Sequence, residues 1–191
     1  MNTPTHLMAA AALLARPGAR PRNMAAFLGS LMPDLSIFIF YGWMKRDGAT
    51  SEREIWGEAY WTEPWQTLGA ISNSVPLAAG LLALALLARA LWLRIFALAL
   101  LIHAALDFPV HAEDAHRHFW PVSDWRFQSP VSYWDPAHNG ALGVLVEASV
   151  LAVSGIVIWR RFEAVGVRIA VAATVLLYLA VGVYWSLAFA S

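Results

Sequence analysis

The chain has 191 residues, of which 59% are hydrophobic and only 14% are charged, and its formal net charge at pH 7 is zero. A soluble domain is usually about a quarter charged, so this composition indicates a membrane protein and gives no sign of a nucleic-acid partner. The absence of cysteine excludes disulfides, thiolate metal sites and thiol catalysis, and leaves histidine and carboxylate chemistry.

The first predicted element is a short helix that begins near Pro4, with Thr3 or Thr5 as its cap, and runs to about Arg16, before Pro17. A membrane-spanning helix needs about 20 residues. We therefore expect this helix, of about 12 residues, to be half-inserted or re-entrant. No basic region precedes its apolar stretch, as one would in a signal peptide, so we expect the segment to stay on the protein.

Apolar segments that can span a bilayer follow, at about residues 24–44, 67–88, 90–110, 140–159 and 167–189. Pro33 is expected to interrupt the first of them near its middle. Long polar and aromatic loops occupy 45–66 and the region up to about 139. We predict an all-α fold: a polytopic membrane helical bundle of about five spanning helices plus the short N-terminal half-helix, forming a single integral membrane domain over 1–191.

Basic residues predict the orientation of this bundle. They concentrate at the ends opposite the two long loops, and the positive-inside rule makes those ends cytoplasmic. The arginines assigned to the cytoplasmic side are Arg16, Arg20, Arg22, Arg89, Arg94, Arg160, Arg161 and Arg168. Both long loops are then on the outer face.

The segment from His103 to His118 holds four of the six histidines of the chain. His103, Asp107 and His111 repeat every four residues, so on a helix they share one face. This face comes at the end of an apolar segment, where ionisable residues are costly and usually mark a functional site. Imidazole and carboxylate together are a suitable ligand set for a divalent metal.

Polar residues of other segments are expected at a similar depth, namely His6, Asp34, Asn73 and Glu147. At 1.5 Å rise per residue, most of them lie roughly 6 to 15 Å below the outer surface, which favours a shared hydrated or metal-filled pocket. Structural roles stay open for each: His6 can be a cap or interface residue, Asp34 can cap a broken helix, and Glu147 can bond a neighbouring helix. His116 and His118 are expected to lie in a solvated loop.

Three short motifs occur in order: TH at 5–6, LMPDL at 31–35 and HAALD at 103–107. This ordered set resembles the YdjM-like family of predicted membrane-bound metal-dependent hydrolases. Ser36 stands where that family has a second aspartate, and Asn73 where it has the histidine of a THS element, so two potential ligands are absent. The loop residues Asp114, His116 and His118 are candidates to rebuild the site. The order of histidines and acids is also loosely similar to that of the zinc-dependent bacterial phospholipases C.

The resemblance and the ligand chemistry together suggest one or two divalent ions, zinc first and manganese or iron as alternatives, bound by His6, Asp34, His103, Asp107 and His111. Glu147 or Asp114 is then the candidate general base for a metal-activated water. Arg117 or Arg126 is the candidate ligand of a phosphate. We expect a metal-dependent hydrolase of the bacterial inner membrane, its site facing the periplasm, that acts on a lipid or lipid-linked phosphoester.

Other functions stay open from the sequence. In a non-enzymatic membrane protein the His/Asp cluster is a structural polar network or an ion-binding site, and interhelical hydrogen bonds of about 0.6–2 kcal/mol each make such a network only modestly stabilising. A small ion-coupled transporter is the third function, although the sequence has no visible inverted repeat. Helices rich in alanine and glycine also permit a homo-oligomer.

Overall fold

The structure, a computed structural model, describes residues 1–46, 48 and 50–188, without the side chains of 185, 186 and 188. Within these residues every regular element is helical, which confirms the predicted all-α class. The α-helices are α1 (Thr3–Leu14), α2 (Arg20–Lys45), α3 (Glu52–Gly57), α4 (Trp65–Ser72), α5 (Val75–Leu87), α6 (Leu91–Asp107), α7 (Gly140–Arg161) and α8 (Val165–Ala188).

Four segments of the described chain are long and apolar enough to cross a membrane, namely α2, α4 and α5 taken together, α7 and α8. They indicate an integral membrane protein. The third predicted span corresponds to α6, whose 17 residues extend about 26 Å and lie at the lower limit of spanning lengths. The last predicted span was expected to reach Phe189, which is outside the described residues.

The helix breaks differ from those expected. α2 continues through Pro33, whereas the second predicted span breaks between α4 and α5 at Asn73 and Ser74. Ser74 caps α5 by accepting a hydrogen bond from the Leu77 amide at 3.1 Å, and Pro76 fits the first turn because its missing N–H needs no partner there. The break leaves the backbone carbonyl of Asn73 free to accept a hydrogen bond from the loop that follows α6.

The short helix α1 lies at the centre of the bundle, in contact with α2, α6, α7 and α8. Ala10 and Leu14 pack towards α2 and α6, while Met8 and Ala12 pack towards α7 and α8. The small alanine side chains let all these helices approach closely. Expected to be half-inserted or re-entrant, α1 is surrounded by other helices, and it carries His6 into the interior.

α2 and α6 cross most tightly at Gly29. A Cβ atom at this position would lie 2.4 Å from the carbonyl oxygen of Phe96 and 2.9 Å from the Cβ atom of Ala99, so glycine is required for the crossing. The close approach sets Ser30, the next residue of α2, against His103 of α6.

The loop from 108 to 139 packs against the bundle. The Val75 amide at the break between α4 and α5 donates to the carbonyl of His118 at 2.8 Å, and the rings of Phe108 and Phe127 stack with centroids 4.7 Å apart. Gly143 of α7 lies against the Ser132 backbone, where a Cβ atom would have no room. These contacts cover the end of α6 and hold the loop histidines inward.

Candidate metal centre

The end of α6 supplies the first part of the site. His103 and Asp107 are one turn apart, and His103 Nε2 lies 3.1 Å from Asp107 Oδ2, as their spacing predicts. α6 ends at Asp107, so His111 is not on the same helix. The following turn nevertheless returns its ring to the same carboxylate, with His111 Nε2 3.3 Å from Asp107 Oδ1.

Two other helices bring a side chain each to this carboxylate. His6 of α1 stacks on His103 with ring centroids 3.6 Å apart, and its Nε2 lies 3.0 Å from Asp107 Oδ1. Asp34 of α2 lies 3.6 Å from His103, measured from Oδ1 to Nε2. The structure therefore brings together all five residues that the sequence nominated as ligands.

These side chains are buried, yet several of their polar atoms lack a hydrogen bond. His6, His103 and Asp107 are 1%, 0% and 2% exposed. Within the described residues, both ring nitrogens of His6, Nε2 of His103 and Oδ2 of Asp34 have no hydrogen-bond partner. His6 and His103 approach Asp107 closely, but their ring nitrogens are not aligned to form hydrogen bonds with its carboxylate. Such an arrangement is typical of side chains that bind the same metal ion. An unpaired buried polar group costs about 1–3 kcal/mol, so the cluster favours an additional bound group.

Neighbouring groups orient the imidazole rings of His103, His111 and His118. Nδ1 of His103 donates to the Ser30 carbonyl at 2.8 Å, and Nδ1 of His118 donates to the Asn73 carbonyl at 3.1 Å. His111 makes the equivalent contact with a carboxylate of the loop at 2.9 Å. A metal-binding histidine commonly donates its other ring N–H in this way, which leaves the Nε2 lone pair free for the ion.

The loop adds histidines that were expected to be solvated. His116 and His118 are 8% and 3% exposed, because the loop is bonded to the break between α4 and α5. Ligand atoms of Asp107, His111 and His116 all lie within 4.8 Å of one another, as do those of His6, His103 and Asp107. Each of these groups could hold a metal ion. The high density of histidine in the segment was the only signal for His116.

The loop imidazoles have opposite pKa shifts. Burial, followed by the adjacent His111, lowers the pKa of His116 to about 3, which makes it a neutral ring of the kind that binds metals. Burial and the Met1 amine also act to lower the pKa of His111, but Asp107 and Asp114 outweigh them and raise it to about 9. A metal bound at His111 would therefore have to displace a proton.

Glu147, one of the two candidate general bases, has both carboxylate oxygens in hydrogen bonds. Its Oε1 accepts hydrogen bonds from the Asn2 amide at 2.5 Å and the Thr5 hydroxyl at 3.0 Å, and its Oε2 accepts from Asn2 Nδ2 at 3.0 Å. These bonds fasten the start of α1 to α7. Thr5 thus binds Glu147 rather than capping α1, and Asn2 occupies the cap position without a side-chain cap bond.

Asp114, the other candidate base, also has its carboxylate engaged. Its Oδ2 accepts from Nδ1 of His111 at 2.9 Å and from Nε1 of Trp134 at 3.0 Å. Burial opposes ionisation of Asp114, but the neighbouring His111 outweighs it and lowers the carboxyl pKa. An ionised Asp114 is suited to orient His111.

The two arginines proposed for phosphate binding hold the loop. Arg117 pairs with Glu63 at 3.1 Å and Asp124 at 3.3 Å. Arg126 donates to the Ala115 carbonyl at 3.2 Å and to Gln66 Oε1 at 2.9 Å. These contacts attach the loop to the start of α4, and none of them is made with the His/Asp cluster.

The α-amine of Met1 lies 2.5 Å from Asp107 Oδ1 and 3.1 Å from His111 Nε2. A positive charge is therefore accommodated between these side chains, as expected beside a buried carboxylate.

Comparison with known proteins adds no relative: the chain matches no family model, no curated protein and no solved structure. Fold and site alone define the class, a helical membrane protein with buried His/Asp groups that could hold a metal ion.

Proposed function

We propose that this protein is a membrane-bound metal-dependent hydrolase that acts on a lipid or lipid-linked phosphoester. The observation that carries the proposal is the convergence of His6 with His103 and Asp107, which lie far from it in the chain, and the buried ring nitrogens there that lack hydrogen bonds. Three protein ligands leave one position of a tetrahedral zinc ion open, as in catalytic zinc sites. Manganese and iron also accept these ligands.

A divalent ion held by these residues would supply a water with its pKa lowered to near 7 and would polarise a phosphoryl oxygen. The protein's own contribution is to orient the ligands and to accept a proton. Asp34 is the better candidate for the base, because its buried Oδ2 has no partner among the described residues, whereas both oxygens of Glu147 and Oδ2 of Asp114 accept hydrogen bonds. Ser30 holds His103 in the orientation that such an ion needs.

The distribution of basic residues supports a site facing the periplasm of a bacterial inner membrane. Arg161 donates to the carbonyls of Ala12 and Ala15, and Arg22 donates to that of Leu14. These arginines meet at the C-terminal end of α1, whereas His6 is near its beginning. The positive-inside rule then makes the arginine end cytoplasmic and the cluster end periplasmic, at a level where lipid headgroups lie. The motif resemblance to the YdjM-like family points the same way.

Hydrolysis by the purified protein in lipid nanodiscs tests this function. With zinc present, we expect release of phosphate or headgroup from at least one member of a panel of glycerophospholipids and polyprenyl phosphates. His103→Gln and Asp107→Asn should lower kcat/KM by at least about 100-fold, because a metal supplies several kcal/mol of transition-state stabilisation. The control is His138→Gln. Nδ1 of His138 lies 2.7 Å from Asp135 Oδ2, and this pair is not part of the cluster. A metal-loaded protein that hydrolyses none of these esters overturns the proposal.

The contact between the Met1 amine and Asp107 favours a second candidate, a non-enzymatic polar network. There the ammonium group balances the buried carboxylate and no metal is needed. Wild-type protein would then bind no divalent ion after dialysis against zinc, and Asp107→Asn would keep its fold. Zinc retention by the wild type and its loss in Asp107→Asn exclude this candidate.

A further inference from the structure

Asp107 belongs to two sets of ligands at once. Its Oδ2 faces His103 at 3.1 Å, and its Oδ1 faces both His6 at 3.0 Å and His111 at 3.3 Å. His116 completes the group on the side of His111. We propose that Asp107 bridges two divalent ions, one held with His6 and His103 and the other with His111 and His116. This inference rests on the proposed metal-dependent function and assigns a second ion to it.

A single ion does not account for this arrangement. Metal–ligand bonds for nitrogen and oxygen are about 2.0–2.2 Å long, so the ligands of one ion must be close neighbours. Among the described residues the ligand atoms fall into two close groups that share Asp107, not into one group of five. Two-metal sites for phosphoryl chemistry hold their ions about 3.5–4 Å apart, a distance that one shared carboxylate can span.

The second group has the supporting contacts that a metal site needs. Asp114 accepts from Nδ1 of His111 at 2.9 Å and so turns Nε2 of that ring towards Asp107. Arg126 holds the Ala115 carbonyl at 3.2 Å and thereby fixes the residue that precedes His116. The Met1 amine lies between Asp107 and His111, where a cation is already favoured.

A cavity reaches His116 of the second group, and the residues that line it include neither His6 nor His103 of the first. It has room for about one water molecule and is lined by Ser36, Ile37, Phe40, Tyr60, Trp65, Gly69 and His116. The first group is enclosed by α1, α2 and α6. The ion beside His116 is therefore the one that a water or a small phosphoester oxygen meets first, while the ion at His6 and His103 is the more enclosed.

The number of zinc ions bound per chain tests this proposal. The protein is purified in detergent, loaded with zinc and separated from excess zinc by gel filtration. Inductively coupled plasma mass spectrometry should then find two zinc ions per chain. His116→Gln and His111→Gln should each retain one, His6→Gln should retain one, and Asp107→Asn should retain less than one. His138→Gln should retain two, because its ring bonds only within its own turn.

The outcomes separate this inference from the function beneath it. One zinc ion in the wild type, unchanged in His116→Gln, overturns the bridged pair and leaves a single-ion hydrolase standing; no zinc in the wild type rejects both. A measurement on the wild type alone guards against misfolded variants: manganese-loaded protein should give the electron paramagnetic resonance signal of two exchange-coupled ions. The signal of isolated manganese at saturating metal overturns the pair.

Discussion

At the residue scale, the position of Asp107 favours a positive charge beside it. The carboxylate lies in the last turn of α6, is 2% exposed and faces three imidazoles. The negative end of the helix dipole is at this turn, so a buried negative charge there is unfavourable without a positive partner. The spacing of His103 and Asp107 reveals this pair from the sequence. The burial of His116 follows from the path of a loop without periodicity, so the sequence indicated this residue only through the density of histidine in its segment.

Glu147 acts on the site through α1, which makes it a positioning residue. Glu147→Gln replaces one acceptor by a donor and leaves donors of Asn2 and Thr5 unpaired. Because hydrogen bonds to a charged group contribute about 1.5–3 kcal/mol, we expect the free energy of unfolding to fall by about 2 kcal/mol. Zinc affinity should fall about 10- to 100-fold through the displaced His6, as for other groups that orient ligands.

Zinc titration and thermal denaturation of Glu147→Gln check this prediction. The matched control is Glu113→Gln, which changes an exposed loop glutamate and should match the wild type. A variant with normal stability and zinc affinity but no hydrolysis would mean that Glu147 acts in the chemistry instead.

At the element scale, the site depends on helix crossings that place Ser30 and His103 together. Gly29→Ala puts a Cβ atom 2.4 Å from the Phe96 carbonyl and must separate α2 from α6. We expect a loss of about 1–3 kcal/mol of stability, as in other overpacked interiors, together with weaker zinc binding. Gly80→Ala of α5 is the control: its Cβ atom meets nothing within 4 Å, and the higher helix propensity of alanine favours the fold by up to about 1 kcal/mol. Equal melting temperatures for the two variants would contradict the tight crossing.

Capping chemistry at the start of α5 gives a second test at this scale. Ser74→Ala removes the acceptor of the Leu77 amide and a bond to the Trp120 carbonyl. Loss of a serine cap costs about 1 kcal/mol, and here it also loosens the loop that carries His118. Thermal denaturation should show the lower stability, and hydrogen exchange should rise at 116–120. Unchanged exchange in this loop would mean that the cap does not hold it.

Sequence patterns predicted the elements better than their breaks. Apolar runs identify the long helices because a bilayer imposes their length and composition. Pro33 was expected to interrupt the first span, but α2 continues through it. The break at Asn73 and Ser74 lies instead inside an apolar run. The enclosure of α1 could not be read from its residues, because alanine-rich helices suit both a re-entrant segment and a bundle centre.

At the scale of the whole molecule, α1 links two halves of the bundle and places the cluster at the end opposite the arginines. The chain has no cysteine, so single cysteines can report its orientation without background. Gln128→Cys lies in the exposed part of the loop and should react with a membrane-impermeant maleimide in intact bacterial spheroplasts. Glu163→Cys, exposed between α7 and α8, should react only after lysis. The reverse pattern would place the site at the cytoplasmic face and contradict the proposed topology.

Zinc bound at the proposed centre would also link binding to the stability of the whole fold. A ligand at 100 times its dissociation constant stabilises the native state by about 2.7 kcal/mol. Chelation should therefore lower the melting temperature of the wild type, and zinc should restore it. His103→Gln should show no response to either treatment, while the same response in His103→Gln would locate the zinc elsewhere.

The most direct measurement is anomalous diffraction at the zinc absorption edge from crystals grown with zinc. The account predicts a peak within about 2.3 Å of Nε2 of His103, a ring nitrogen of His6 and a carboxylate oxygen of Asp107. Ordered side chains at these three positions with no anomalous peak between them would contradict it.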